Sequence, residues 1–181
     1  ISELDIENIQ RDEESGIWHF IVKAEEDSDK ELKTNAAQRL VPVHPKLIEL
    51  GFIDYHQNLK ANGQPRLWMN LSKTSKGYAR KFSNWYLGTK GSTGFFRDKV
   101  TTDPKKNFHS MRHNFTDALK HLLVDERIID ETIGHKHESL SHNRYGKPYT
   151  LKTKLKAIRL ISYDVDWEPT MDITKRTNEL A

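Results

Sequence analysis

Five side chains in this sequence are of the types that can cleave a phosphodiester without a metal. His109 and Arg112 stand three residues apart, His135 follows a glycine, and Tyr145 comes ten residues after His135. A guanidinium group binds the non-bridging oxygens of a phosphate and keeps its charge at any cellular pH. Histidines can hydrogen-bond the same oxygens or accept a proton, and a lysine such as Lys33 can protonate the leaving oxygen. This order predicts a nucleophilic tyrosine that acts on a phosphate.

The nucleophile itself has two candidates. A tyrosine phenol is protonated at neutral pH, because its pKa is about 10, so it needs cationic neighbours to attack. Tyr145 has the better spacing, whereas Tyr149 lies fourteen residues after His135. Each residue taken alone also has a plain structural interpretation, such as an exposed helix face for His109 and Arg112 or a packed aromatic ring for Tyr145. Only the joint pattern favours chemistry.

The sequence predicts an α+β fold, mostly helical, with a small antiparallel β-sheet near the N-terminus, and the elements of this fold must position these residues. Stretches rich in β-formers predict strands over 17–22 and 40–43, with a charged hairpin between them that carries Lys33. Apolar periodicity predicts a helix over 110–124, with His109 and Arg112 on one face near its start. A helix over 126–133 should end at Gly134. We also expect a helix opened by Pro45, helices over 74–87 and 151–161, a flexible glycine-rich loop over 88–94 and a short strand over 162–165.

Charge is distributed unevenly along the 181 residues, although the formal net charge is only +3. Residues 1–32 carry three Lys or Arg against eleven Asp or Glu, whereas residues 60–106 carry eleven against two. A basic block interleaved with aromatic rings suits a phosphate backbone, although a solvated surface has the same composition. The chain has no cysteine, which excludes disulfides and thiol catalysis. No apolar run reaches the roughly 18 residues of a membrane span, so we expect no membrane partner and a cytoplasmic location.

The joint pattern resembles the tyrosine recombinase family, in particular the catalytic domain of phage-type integrases, from residue 1 to about residue 163. The family's His-x-x-Arg motif is matched by His109 and Arg112, its Leu/Ile-Gly-His motif by Ile133-Gly134-His135, and its nucleophile by Tyr145. Its β-hairpin lysine is matched by Lys33, which precedes Arg39-Leu40-Val41-Pro42-Val43. Each motif is weak alone, and the combination is specific.

The resemblance implies a site-specific DNA recombinase of a phage or genomic island, working through a 3′-phosphotyrosyl intermediate without metal, ATP or other cofactor. Tyr145 would attack the scissile phosphate and Lys33 would protonate the released 5′-hydroxyl, while His109, Arg112 and His135 would stabilise the transition state. The implied partners are double-stranded DNA attachment sites, three further protomers on the DNA and an accessory DNA-bending protein, with a monomer expected for the isolated chain. The implied location is near the nucleoid of a bacterial or phage-infected cell, and the basic helix over 151–161 would dock on a neighbouring protomer.

One departure from the family concerns a further catalytic arginine. The family carries it in a Gly-x-Arg-x-Gly-Glu setting ahead of a Leu-x-x-x-Asp-Ile segment, and residues 2–9 of this chain resemble that second segment alone. The arginine is expected before Ile1, so residues 1–165 would form a catalytic domain without its start, followed by a polar tail over 166–181. Loss of one charge-stabilising donor typically costs a factor of about 10²–10³ in rate. We therefore expect the isolated chain to be inactive or nearly so.

Three other functions fit parts of the pattern. A non-catalytic DNA-binding module of a mobile-element protein would use the basic block alone, and a type IB topoisomerase would share the chemistry without pairing two sites. A metalloenzyme could use His109 and His113, one helical turn apart, together with His137 and His142. However, no glutamate follows His109, and Arg112 would oppose a bound cation.

Overall fold

The fold is α+β, about 46% helical, with a small antiparallel three-stranded sheet near the N-terminus, as the sequence predicts. The computed structural model describes residues 2–23, 38–75, 77–135 and 147–163. Two of the predicted site residues, Lys33 and Tyr145, lie outside these ranges, as do the charged hairpin and the polar tail. None of the helices in the described ranges is both long and apolar enough to cross a membrane.

The sheet consists of β1 (Ile9–Arg11), β2 (Trp18–Val22) and β3 (Arg39–Pro42), in that spatial order. The two predicted strands correspond to β2 and β3, which run antiparallel with Val22 opposite Arg39 and His19 opposite Pro42. β1 was not predicted, because three residues are too few to show the alternation of a strand. Arg39 is the first residue of β3.

Two short helices, α1 (Pro45–Glu49) and α2 (Phe52–Ala61), follow the sheet. α1 begins at Pro45 as predicted, and His44 caps it by accepting a hydrogen bond from the Lys46 amide at Nδ1, at 3.0 Å. Since Nδ1 accepts, the proton of the neutral ring is on Nε2, which donates to the Ile161 carbonyl at 3.2 Å. His44 therefore joins the start of α1 to the C-terminal end of the described chain. The hydrophobic core beside the sheet and α2 consists of Ile6, Ile9, Leu59 and Leu67, with Trp18, Phe20, Phe52 and Trp68 packed around them.

The middle of the chain differs from the sequence prediction in two places. The helix expected over 74–87 is shorter, α3 (Ala79–Leu87), because Thr74 and Gly77 pair as an isolated β-bridge. The loop expected over 88–94 is a tight hairpin of β4 (Gly88–Thr89) and β5 (Ser92–Thr93), which leads into α4 (Phe95–Lys99). A Cβ atom on Gly88 would lie 2.5 Å from the Ser92 carbonyl oxygen. Glycine is thus required there for close packing of two backbones, not for flexibility.

The remaining helices are α5 (Phe108–His121), α6 (Glu126–Ile133) and α7 (Leu151–Ile158). Their core consists of Leu119, Ile129, Ile133 and Ile161, flanked by Phe115, Ala118 and Val124. α7 ends at Ile158, earlier than predicted, and residues 162 and 163 form no strand. Because Lys154, Ala157 and Ile158 are buried against this chain's own β3 and α6, only the outer face of α7 is left for the predicted contact with another protomer.

Candidate active site

The start of α5 is fixed by a capping box. The Asn107 side-chain oxygen accepts a hydrogen bond from the His109 amide at 2.8 Å, and the Ser110 hydroxyl accepts one from the Asn107 amide at 3.1 Å. These bonds satisfy backbone donors that have no partner within a helix. They begin the helix two residues before the predicted boundary, which places His109 in its first turn and Arg112 one turn further on.

His109 is exposed on the surface of α5. Its ring lies edge-on to that of His113, with 4.7 Å between the ring centroids. This is the pair that a metalloenzyme would use, and the described residues contain no group of three or more His, Asp or Glu side chains arranged to hold a metal ion. The two further histidines of that hypothesis, His137 and His142, lie outside the described residues.

Arg112 is partly buried, and its Nε atom is fully buried. That Nε has no hydrogen-bond partner within the part of the chain that the structure describes. A buried donor without an acceptor costs about 1–3 kcal/mol, so such groups usually bind a water, an ion or a ligand. An oxyanion with two adjacent oxygens fits the Nε–Nη edge of a guanidinium group.

A second guanidinium group, which the sequence analysis did not single out as a site residue, comes from the first residue of β3. The Nε of Arg39 donates to the Thr132 carbonyl in α6 at 2.9 Å, across a sequence separation of 93 residues. Burial lowers the pKa of Arg39, and the positive charge of Arg112 lowers it further. Arg39 nevertheless remains charged at cellular pH, because a guanidinium group keeps its proton in proteins. Strand β3 and helix α5 therefore bring two like charges close to each other.

The end of α6 places His135 next to the residue that Arg39 contacts, Gly134. Gly134 adopts a φ of 76°, the left-handed stop that the sequence predicts, and the amides of Gly134 and His135 donate to the Asp130 carbonyl at 2.7 and 2.9 Å. A Cβ atom on Gly134 would lie 2.6 Å from Nη1 of Arg39, so the Arg39 guanidinium lies against the backbone there. The exposed ring of His135 has its Nδ1 3.9 Å from Asp130 Oδ1, which is too far for a hydrogen bond.

A cleft of about 1260 Å³ opens beside His135 and Arg39. It lies between the β1–β2 turn, β3, the end of α6 and α7. Its charged lining comprises Asp12, Glu14, Arg39, Arg127, Asp130, Glu131, His135, Lys147, Lys152, Lys154, Lys156 and Arg159. His109 and Arg112 do not line it. The structure thus brings Arg39 to the Gly134–His135 turn at the cleft, and it leaves both His109 and Arg112 outside the cleft lining.

The second candidate nucleophile, Tyr149, also lines this cleft. Its backbone amide donates to Glu131 Oε2 at 2.8 Å, and the same oxygen lies 3.2 Å from Lys154 Nζ. The guanidinium carbon of Arg127 is 5.9 Å from the centroid of the Tyr149 ring, at the outer limit of a cation–π contact. The chain that comes after the first candidate, Tyr145, is therefore anchored at residue 149.

Comparisons with protein-family models, with curated proteins and with solved structures gave no match.

Proposed function

We propose that this chain is the catalytic domain of a tyrosine recombinase, a phage or genomic-island integrase that cleaves and rejoins DNA at specific sites. The observation that carries the proposal is the buried Nε of Arg112 in the His-x-x-Arg motif, which has no hydrogen-bond partner among the described residues. A phosphate oxygen is an acceptor that fits this group. The order of Lys33, His109, Arg112, His135 and Tyr145 in the sequence supports the same chemistry.

The reaction would proceed by transesterification. Tyr145 attacks the scissile phosphate, which forms a 3′-phosphotyrosyl bond and breaks the bond to the 5′ oxygen, and Lys33 protonates that oxygen. Arg112 neutralises the charge that develops on the phosphate, and His135 and His109 assist by hydrogen bonding or proton transfer. The 5′-hydroxyl of a partner strand then reverses the chemistry. Since the bond energy is kept in the phosphotyrosyl link, neither ATP nor a metal is required.

The outer face of α7 suits the DNA backbone. Lys152, Lys156 and Arg159 recur at helical spacing, are exposed, and all line the cleft next to Arg39 and His135. Within the described residues none of the three forms an ion pair, so their charge is available to phosphates. We propose double-stranded attachment sites as the partner, bound by four protomers with the help of a DNA-bending protein near the nucleoid in the cytoplasm.

The test is covalent trapping. Nicked duplexes from the ends of the mobile element that carries the gene lose a short fragment after cleavage, so the protein–DNA adduct accumulates and is seen on a denaturing gel. We expect an adduct that Tyr145→Phe and Arg112→Ala abolish and that Tyr149→Phe keeps. Because no residue in the sequence matches the family's further arginine, the 181-residue chain should react slowly, and the full product of its gene is assayed beside it.

The other outcomes identify the alternatives. Tight, salt-sensitive DNA binding with no adduct from either preparation would indicate a non-catalytic DNA-binding module of a mobile-element protein. Relaxation of a supercoiled plasmid that carries no attachment site would indicate a type IB topoisomerase. An adduct that only Tyr149→Phe removes would assign the nucleophile to the second tyrosine.

A further inference from the structure

An aromatic cluster with exposed outer rings connects α3, the β4–β5 hairpin and α4. Its inner rings, Tyr86 and Phe96, are buried and stack with their centroids 4.9 Å apart. Its outer rings, Trp85 and Phe95, stack at 5.2 Å with 15° between their planes, yet they are 57% and 45% exposed. We propose that this outer pair binds single-stranded nucleic acid by stacking on unpaired bases. The proposal does not depend on the recombinase function and involves no residue of the catalytic motifs.

Close packing holds the outer rings in place. The hairpin that joins α3 to α4 is so tight that a Cβ atom on Gly94 would collide with the Gly88 nitrogen. Beneath the outer pair, the Tyr86 ring contacts both members, with its centroid 6.2 Å from that of Trp85 and 6.5 Å from that of Phe95. A preformed surface loses little conformational freedom when a ligand binds to it. The two rings are therefore arranged to extend their stack onto a flat ligand.

Two lysines flank the outer rings. Lys81 lies one helical turn before Trp85 on α3, and Lys99 lies one turn after Phe95 on α4, so each lysine shares a face with its ring. Both lysines are exposed, and neither forms an ion pair with another described residue. Residues 77–109 as a whole carry seven Lys or Arg against two Asp or Glu. An aromatic ring beside a cation matches a nucleotide, because the base stacks on the ring and the phosphate is negatively charged.

The same features disfavour other occupants of this surface. A second copy of the chain, docked symmetrically here, would bring the lysines of both copies together, and like charges repel. In duplex DNA each base face is covered by the neighbouring pairs, so the rings cannot stack on it. A purely structural role as a small hydrophobic core explains the buried Tyr86 and Phe96 but not the exposure of Trp85 and Phe95. A strand with unpaired bases satisfies both the rings and the lysines.

The experiment measures binding of a fluorescently labelled oligothymidylate of about twelve nucleotides to the 181-residue chain by fluorescence anisotropy. Trp85→Leu should weaken binding roughly five- to hundredfold, as expected for the loss of stacking on one base, and Trp85→Phe, which keeps a ring, should lose less. The matched control is Tyr163→Leu, which removes a ring that is 55% exposed outside this cluster and should leave binding unchanged. Lys81→Gln and Lys99→Gln combined should reduce the magnitude of the slope of log K against log salt concentration by about 1.4, from roughly 0.7 for each phosphate contact with a single strand.

An abasic oligonucleotide of the same length separates stacking from charge. It should bind the wild type more weakly than the oligothymidylate does, and Trp85→Leu should not weaken it further. Unchanged binding of the oligothymidylate to Trp85→Leu would overturn the proposal, as would an equal loss for both strands, which would show charge attraction alone. If Trp85→Leu does not fold, the wild type decides, since equal binding of the two strands also overturns it. A dimer that Phe95→Ala dissociates, in a chain that does not bind the oligothymidylate, would instead assign this surface to a second copy.

Discussion

The buried ion pair between α6 and α7 gives the sharpest prediction about stability. Lys154 is 4% exposed, and its Nζ lies 3.2 Å from Glu131 Oε2, which also accepts the Tyr149 amide. Replacing Glu131 by Gln leaves a buried ammonium without its counter-charge. Removal of one partner of a buried pair typically costs about 3–5 kcal/mol. Because the Glu131 side chain is 33% exposed, water screens the pair, and we expect about 2–3 kcal/mol.

Replacing Lys154 by Met should cost less, about 1 kcal/mol, since Met keeps much of the apolar stem and Glu131 can still bind water and the Tyr149 amide. The double variant Glu131→Gln, Lys154→Met should therefore be more stable than Glu131→Gln alone, because it removes the uncompensated charge. A destabilisation of about 2–3 kcal/mol corresponds to a fall in Tm of about 4–12 °C for a chain of this size.

The assay is urea and thermal unfolding of the wild type, the two single variants and the double variant, followed by tryptophan fluorescence. Glu49→Gln is the matched control: it breaks the pair with Lys46, which is 2.8 Å long but exposed on both sides, and should change stability by under about 0.5 kcal/mol. The reasoning is refuted if Glu131→Gln and Lys154→Met cost the same, or if the double variant loses the sum of the two.

Three further predictions concern other parts of the fold and the site. Both Gly134 and Gly51 have a positive φ, so the backbone strain of an alanine should lower the free energy of unfolding by about 1–2 kcal/mol at either position. Gly134→Ala should destabilise the protein more than Gly51→Ala, because a Cβ at Gly134 meets Arg39 whereas one at Gly51 meets nothing within 4 Å. Equal losses in unfolding experiments would contradict the contact with Arg39. Burial raises the pKa of Tyr55, so the unfolded chain loses its phenolic proton first and stability should fall as pH rises above about 10. In unfolding curves, Tyr55→Phe should show a smaller decrease of stability above that pH. At neutral pH it should be about 1 kcal/mol less stable, because it lacks the hydrogen bond to the Leu67 carbonyl. Under the proposed function, α7 contacts the DNA backbone, and a triple variant should show it: Lys152→Gln, Lys156→Gln and Arg159→Gln. The slope of log K against log salt concentration for duplex binding should decrease in magnitude by about 2.7, since each phosphate contact contributes roughly 0.9. An unchanged slope would show that α7 lies outside the DNA interface.

Local patterns in the sequence predicted those parts of the fold that local interactions determine. The stop at Gly134, the start of α1 at Pro45 and the strands β2 and β3 each depend on a few adjacent residues, and all four are confirmed. The hairpin over 88–94 was predicted wrongly as a flexible loop, because glycine composition cannot distinguish freedom from close packing. Contacts between distant residues left no local signal, which is why the burial of Lys154 was not anticipated.

Prediction of the site residues from the sequence was limited in the same way. The motifs identified Arg112 and the Gly134–His135 turn, because each lies at a recognisable helix boundary or spacing, whereas Arg39 was named only as part of the segment that follows Lys33. Its role depends on the Thr132 carbonyl, 93 residues away, and on the charge of Arg112. Neither relation leaves a pattern in the residues around position 39. A packed structure was needed to connect them.

Lys154 and Arg112 are cations that the fold buries to different degrees and surrounds differently. Lys154 is compensated by the Glu131 carboxylate at 3.2 Å, as a buried charge that serves the fold should be. Arg112 has a second guanidinium as its charged neighbour, and the described residues offer its buried Nε no acceptor. Under the proposed function, a backbone phosphate would supply that acceptor to the arginine of the His-x-x-Arg motif.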